Sequence, residues 1–209
     1  MLVKTCGIKS KQAAGYAVEA GTDFIGFIFA PSKRQLTPEE AATIAKTIPS
    51  SVKKVGVFVN ASLEEMLQTA KEVGLDFIQL HGDEPPEIAE QLPYKIIKAF
   101  PVETKSLAMI QDYPCDYYLL DSPFGRNRGG NGTTFDWNLL KKISLDSKRI
   151  LLAGGLNPEN VQQAIQIVNP TGVDVSSGIE TNGEKDHEKI KHFIANAKKT
   201  RKDDSIDTI

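Results

Sequence analysis

A chain of 209 residues, 40% hydrophobic and 25% charged, is long enough to bury one sizeable core and short for two ordinary domains. Its formal net charge of -2 and pI near 6.0 give nucleic acid or an anionic membrane surface no electrostatic hold, so a small-molecule ligand is the expected partner. Two cysteines, Cys6 and Cys115, are too few for a disulfide framework. The opening Leu2-Val-Lys-Thr-Cys6 has neither a basic leader nor a long apolar run, and together these features predict a cytoplasmic protein.

In chain order the same unit recurs: a short apolar run, a polar or glycine break, then a helical pattern. Leu2 to Cys6 is followed by Lys11 to Ala20, with Ala14, Ala17 and Val18 at helical spacing and Gly21 as the stop. Phe24 to Phe29 is a second strand, and Thr37-Pro-Glu-Glu40 opens the next helix with a cap, a proline and two acids. Lys54 to Val59 is the third strand, with Ser62-Leu-Glu-Glu65 as a capping box after it. Phe77 to Leu80 and Ile96 to Phe100 are the fourth and fifth. A short helix from Pro85 to Glu90 lies between them, and another is expected from about Thr104 to Ile110.

Asp116 to Asp121 is the sixth strand. The stretch from Ser122 to Thr134 then carries four glycines with Arg126 and Arg128, a length and composition suited to a binding loop, with the two arginines expected in solvent. A sixth helix is expected from Phe135-Asp-Trp-Asn138. Ile150 to Ala153 leads into Gly154-Gly155, and Asn157, Pro158 and Glu159 read as an N-cap, a first-turn proline and an early acid. Gly172-Val-Asp-Val-Ser-Ser-Gly-Ile-Glu180 is an eighth strand that also ends in small polar residues. The last helix runs from His187 to Lys199, with Ile190, Phe193, Ile194 and Ala197 on one face.

Eight alternating units argue for one parallel sheet with helices outside, and the count fits a closed (β/α)8 TIM barrel of near-minimal length better than an open doubly wound sheet. The barrel is expected over residues 1–199 as a single catalytic domain, with 200–209 a polar C-terminal tail. In such a barrel the chemistry sits at the C-terminal ends of the strands. Here those ends hold Cys6, Arg34, Asn60, His81, Asp121, the Gly154-Gly155 pair and Ser176-Ser177-Gly178. The last two loops suit a phosphate, because freed backbone N–H groups and a helix N-terminus attract anions.

Each of these residues also has an ordinary structural reading. Cys6 is either a buried thiol or, with a pKa lowered by neighbouring backbone dipoles, a base or nucleophile. Asp121 is either a loop brace or a proton donor whose pKa is raised by burial. Arg34 is either a surface charge or a two-pronged clamp for a carboxylate. His81 can cap, hydrogen-bond or catalyse. Cys115, at the far end of strand six, reads as structural. His187 and His192 fall on the last helix, so His81 has no histidine partner at the strand ends and no metal is expected.

Taken in order, Lys4-Thr-Cys-Gly-Ile8, Gly26-Phe-Ile-Phe29, Ser32-Lys-Arg34, Gly56-Val-Phe-Val-Asn60, Gln79-Leu-His-Gly82, Leu119-Leu-Asp121, Gly129-Gly-Asn-Gly-Thr-Thr-Phe-Asp-Trp137, Ala153-Gly-Gly-Leu-Asn-Pro-Glu-Asn160 and Asp174-Val-Ser-Ser-Gly-Ile-Glu180 make the chain resemble the phosphoribosylanthranilate isomerases of tryptophan biosynthesis. The likeness runs from the first strand to the last helix. It implies an Amadori rearrangement of N-(5-phosphoribosyl)anthranilate to 1-(2-carboxyphenylamino)-1-deoxyribulose 5-phosphate, with no metal or organic cofactor.

On that resemblance the general base falls on Cys6, the general acid on Asp121, the grip on the anthranilate carboxylate on Arg34 and phosphate binding on Gly154, Gly155, Ser176, Ser177 and Gly178. Further substrate-binding positions are expected at His81, Gly130, Gly132 and Asp174. Thr5 stands where relatives often have an aliphatic residue, and Thr133 where many have lysine. Other readings are a related phosphosugar enzyme, such as an indoleglycerol-phosphate synthase or an epimerase, and a phosphosugar-binding barrel without chemistry. A monomer and a homodimer both fit the moderately apolar outer helices.

Overall fold

The computed structural model describes residues 1–102, 107–123, 135–142 and 145–199. Eight parallel strands close on themselves in sequence order: β1 (Leu2–Cys6), β2 (Phe24–Ile28), β3 (Lys53–Phe58), β4 (Phe77–Leu80), β5 (Lys95–Pro101), β6 (Tyr117–Asp121), β7 (Ile150–Leu152) and β8 (Gly172–Val175). Closure is made by β1 on β8, in the register Leu2 to Gly172 and Lys4 to Asp174. Among the described residues, six α-helices surround the ring: α1 (Lys11–Ala20), α2 (Pro38–Ala45), α3 (Leu63–Val73), α4 (Pro86–Glu90), α5 (Val161–Val168) and α6 (His187–Lys198). Their starts follow local chemistry. Ser10, Ser62 and Asp186 accept from the N–H three residues on, and Thr37 with Glu40 forms a complete capping box. Gly21 and Gly74 end α1 and α3 with positive φ, of 89° and 70°.

Alternation along each strand sorts side chains into two cores. Outward residues such as Ile25, Phe27, Ile78, Leu80 and Leu120 are fully buried beneath the helices. Each contributes roughly 1.5–3 kcal/mol by leaving water. Inside the ring, Phe24, Phe77 and Tyr117 begin three even-numbered strands and pack ring to ring, Phe24 on Phe77 edge-on at 5.4 Å. Val55, Ile97, Leu119 and Leu151 close the interior above that plug. Two residues further along the even strands stand Gly26, Gln79 and Asp174, and beyond them His81, Asp121 and Ser176. The interior is thus apolar below and polar above.

The N-terminal end of the barrel is tied by one device used three times. Asp23, Asp76 and Asp116, each just before an even strand, accept at 2.7–2.8 Å from the backbone N–H of Val3, Lys54 and Ile96 at the start of the strand before. Each also donates its own N–H back to the same residue's carbonyl. Strands are thereby pinned in pairs on the face away from the mouth.

Several expectations need correction. Of the helix expected from about Thr104 to Ile110, residues 104–106 lie outside the described residues, and the described part belongs to a 3-10 helix, Leu107–Asp112, that ends before Pro114, which disfavours helical backbone at Tyr113. The helix expected from Phe135 is a 3-10 helix, Trp137–Lys142. Asp136 Oδ1 accepts from both nitrogens of Asn138 at 3.0 Å, a local turn that competes with α-helix. Asn157 caps a turn rather than α5 itself: it exchanges bonds with Asn160, and the α-helix starts at Val161. A hairpin of β9 (Glu180–Thr181) and β10 (Glu184–Lys185) also follows β8, where no strand was expected. Gly130, Gly132, Thr133, Arg126, Arg128 and the tail 200–209 lie outside the described residues.

Candidate active site

At the C-terminal mouth of the barrel is a cavity of about 680 Å³. Its lining includes Cys6, Arg34, His81, Asp121, Gly154, Gly155, Asp174, Ser176 and Ser177, so nine of the sequence-predicted site residues come together. Gly178 does not line it, but there is a reason for glycine there: a Cβ would lie 1.9 Å from the Leu156 carbonyl oxygen, so the loops after β7 and β8 could not approach each other. Asn60 is also absent from the lining. Its Oδ1 accepts from Asp83 N at 2.7 Å and its own N–H donates to Glu84 at 2.7 Å, which makes it a brace between loops.

Cys6 ends β1 and Asp121 ends β6, three strands apart around the ring. Burial pushes the Asp121 carboxyl up to about 6, the direction the sequence predicted. Asp174 adds to the rise, while Ser122, donating from its backbone N–H at 2.7 Å, and Lys4 oppose it. Asp121 Oδ2 lies 3.6 Å from His81 Nε2. Gln79 Nε2 sits 2.9 Å from the other ring nitrogen of His81, and an amide donating there sets the imidazole proton on the side facing Asp121.

For Cys6 the expected lowering of pKa is not what the environment gives. Burial pushes the thiol up, and the counterweight is a charge rather than backbone dipoles: Lys4, two residues earlier on the same face of β1. Lys4 is fully buried and donates to Asp174 Oδ1 at 2.9 Å. Burial alone would lower its pKa, but Asp174 and Cys6 outweigh that and raise it. Gly26 leaves room for the pair, since a Cβ there would stand 2.8 Å from the Cys6 sulfur and 3.2 Å from Lys4 Nζ. Lys4 carried no assignment from the sequence, although a charged residue inside a parallel strand, two positions before the candidate base, is an anomaly that could have marked it.

Arg34 reaches over the mouth from the loop after β2. Its stem crosses Gly7, whose φ is +71° and where a Cβ would meet Arg34 Cδ at 2.5 Å. Its Nε and Nη2 each donate to a Glu180 carboxylate oxygen at 2.7 Å. Lys185 donates to the same Glu180 at 2.7 Å and to the Ser176 carbonyl at 2.9 Å. Glu180 and Lys185 belong to the unexpected hairpin and were missed for that reason. Across the mouth, Gly154 and Gly155 have φ of 84° and 63°, conformations in which a side chain would be strained. A Cβ on Gly154 would also stand 2.7 Å from Ser122 N. Asn160 Nδ2 holds the Gly155 carbonyl at 3.0 Å.

Thr5 faces outward, where its hydroxyl lies 3.3 Å from that of Thr22 and 3.4 Å from the Phe24 carbonyl. A hydroxyl is accommodated there because Thr22 supplies a partner. Among the described residues, no cluster of three or more His, Cys, Asp or Glu could hold a metal ion, and no helix is long and apolar enough to cross a membrane.

Residues 3–196 match the family model described as N-(5'-phosphoribosyl)anthranilate (PRA) isomerase. The N-(5'-phosphoribosyl)anthranilate isomerase of Oceanobacillus iheyensis is 52% identical over 200 residues, 95% of this chain and 98% of that one. That of Streptococcus pneumoniae is 48% identical over 196 residues, 94% and 95% of the two chains. The Thermotoga maritima phosphoribosyl anthranilate isomerase superposes with a TM-score of 0.85 at 42% identity, covering 95% of this chain and 99% of that one. A phosphoribosyl anthranilate isomerase solved with reduced 1-(o-carboxyphenylamino)-1-deoxyribulose 5-phosphate superposes at 0.83, with 41% identity over 95% and 98% of the chains. With the barrel, the polar mouth and these matches in agreement, the chain belongs to the phosphoribosylanthranilate isomerase family, the aldose–ketose isomerases of tryptophan biosynthesis.

Proposed function

We propose that this chain rearranges N-(5'-phosphoribosyl)anthranilate to the 1-deoxyribulose 5-phosphate with Asp121 as general acid and Cys6 as general base. The reading is supported by one observation above the others: both side chains line a single cavity, whose lining also includes Gly154 and Gly155 after β7 and Ser176 and Ser177 after β8, the strands that separate Asp121 from Cys6 around the ring. Asp121, its carboxyl pushed up to about 6, gives its proton to the ring oxygen of the ribose, and the ring opens to an iminium between C1 and the anthranilate nitrogen. The Cys6 thiolate, its charge offset by Lys4, then takes the proton from C2. The electron pair moves into a C1–C2 double bond and neutralises the nitrogen, giving an enolamine. Protonation at C1 and loss of the hydroxyl proton at C2 leave the ketone.

The loops around Gly154-Gly155 and Ser176-Ser177 hold the 5-phosphate. Arg34 takes the anthranilate carboxylate, and His81 and Asp174 contact the sugar between them. The two thiols, neither in a disulfide, suit a cytoplasmic setting.

The test is rescue of a tryptophan auxotroph that lacks the isomerase, paired with turnover by purified protein. The parent chain is expected to restore growth, and Cys6→Ala and Asp121→Asn to lose about 10³-fold or more in turnover while folding normally. Full turnover by either variant rejects the assignment of acid and base. Failure of the well-expressed parent to rescue favours a phosphosugar-binding barrel without chemistry.

A further inference from the structure

The cation expected to grip the substrate carboxylate is already gripped. Glu180 occupies the side edge of the Arg34 guanidinium, with Nε to Oε1 and Nη2 to Oε2 both at 2.7 Å. A guanidinium has five N–H donors in a plane, and a carboxylate on the side edge uses two of them. The end edge, formed by Nη1 and the second hydrogen of Nη2, remains available for another two-pronged partner.

A second carboxylate beside Glu180 would be repelled by it, unless the pair carries extra positive charge. Lys185 supplies that charge. Its ammonium shares Oε1 with Arg34 at 2.7 Å, and both its side chain, 5% exposed, and that of Glu180, 9% exposed, are withdrawn from water. Burial by itself would raise the Glu180 pKa, but Arg34 and Lys185 outweigh it and keep the carboxyl below its ordinary value. Burial lowers the Lys185 pKa while Glu180, at 2.7 Å, opposes that fall; with Lys185 protonated, Arg34, Glu180 and Lys185 together carry one net positive charge.

The frame holding them is stiff. Glu180 and Lys185 are paired across the β9–β10 hairpin, whose two-residue turn, Asn182-Gly183, has φ of 53° and 84° as a type I′ turn requires. Lys185 also ties the hairpin to the Ser176 carbonyl at the cavity wall.

We propose that Glu180 and Lys185 are positioning residues for aryl-carboxylate recognition: Glu180 fixes Arg34 by its side edge so that the end edge faces the cavity, and Lys185 cancels the repulsion Glu180 would exert on the incoming carboxylate. This rests on Arg34 taking the anthranilate carboxylate.

The experiment measures dissociation constants by calorimetry for two probes: the reduced product analogue, and the same molecule with phenyl in place of 2-carboxyphenyl. Glu180→Gln separates charge from geometry, because it raises the net charge of the cluster. Plain electrostatics predicts tighter binding of the carboxylate; loss of positioning predicts weaker binding. The expected result is about tenfold weaker binding of the carboxylated probe and less than about twofold change for the phenyl probe. Lys185→Met is expected to give the same pattern, and serves if Glu180→Gln fails to fold. Unchanged or tighter binding of the carboxylated probe, or equal losses for both probes, overturns the proposal. Arg34→Ala is the control. If it leaves the ratio of the two constants untouched, the carboxylate clamp itself is wrong. If it collapses the ratio while Glu180→Gln preserves it, only the positioning role falls.

Discussion

Asp121→Asn is expected to make the protein more stable at neutral pH while abolishing turnover. In the folded chain, burial raises the Asp121 carboxyl from its ordinary 3.8 to about 6. An acid whose folded pKa lies above its unfolded one binds the proton more tightly when folded. Stability is therefore highest below pH 3.8, falls as pH rises through the window from 3.8 to about 6, and levels off above it. A rise of roughly two pH units corresponds to about 3 kcal/mol. The side chain is only 8% exposed, so solvent screening takes little from that figure.

Asparagine removes the charge and keeps an oxygen for the Ser122 N–H that now donates to Oδ1 at 2.7 Å. Urea unfolding at pH 4, 6 and 8 is the measurement. The variant should match the parent at pH 4 and exceed it by up to about 3 kcal/mol at pH 8. A variant less stable than the parent at pH 8, or a difference that does not grow with pH, refutes the reasoning and with it the raised pKa on which the acid role depends.

Two further outcomes follow from the interior of the barrel. In a Cys115→Ser background, Lys4→Met should move the midpoint for alkylation of Cys6 by iodoacetamide upward, because the sulfur loses the opposite charge beside it; an unmoved midpoint removes Lys4 from the account. Asp116→Ala, which takes the acceptor from the Ile96 N–H at 2.7 Å on the face away from the mouth, should cost about 1–2 kcal/mol in urea unfolding and leave KM for the substrate unchanged.

Much of this molecule is legible without coordinates because its strands and helices are set by short-range rules. The caps at Thr37 and Ser62, the stop at Gly21, and the eight apolar runs each need only neighbours in sequence, and the count of those runs selects a closed ring. In such a ring the strand ends converge, so Cys6, Arg34, His81, Asp121 and the two glycine–serine loops could be nominated from position alone. The misreadings lie where local chemistry had a competitor: Asp136 closing its own turn against helix, and Asn157 pairing with Asn160 ahead of α5.

What only the tertiary structure decided is charge. Lys4 pairs with Asp174 across 170 positions, and Arg34 with Glu180 across 146. Coulombic and hydrogen-bond partners are chosen by closure of β1 on β8 and by the hairpin beyond it, not by spacing along the chain. The sequence by itself determined the barrel and nine of the residues that meet at its mouth. Whether the sulfur there is a ready thiolate or a buried thiol beside a cation, and which edge of the arginine is free, depend on desolvation and on partners that exist only once the ring has closed.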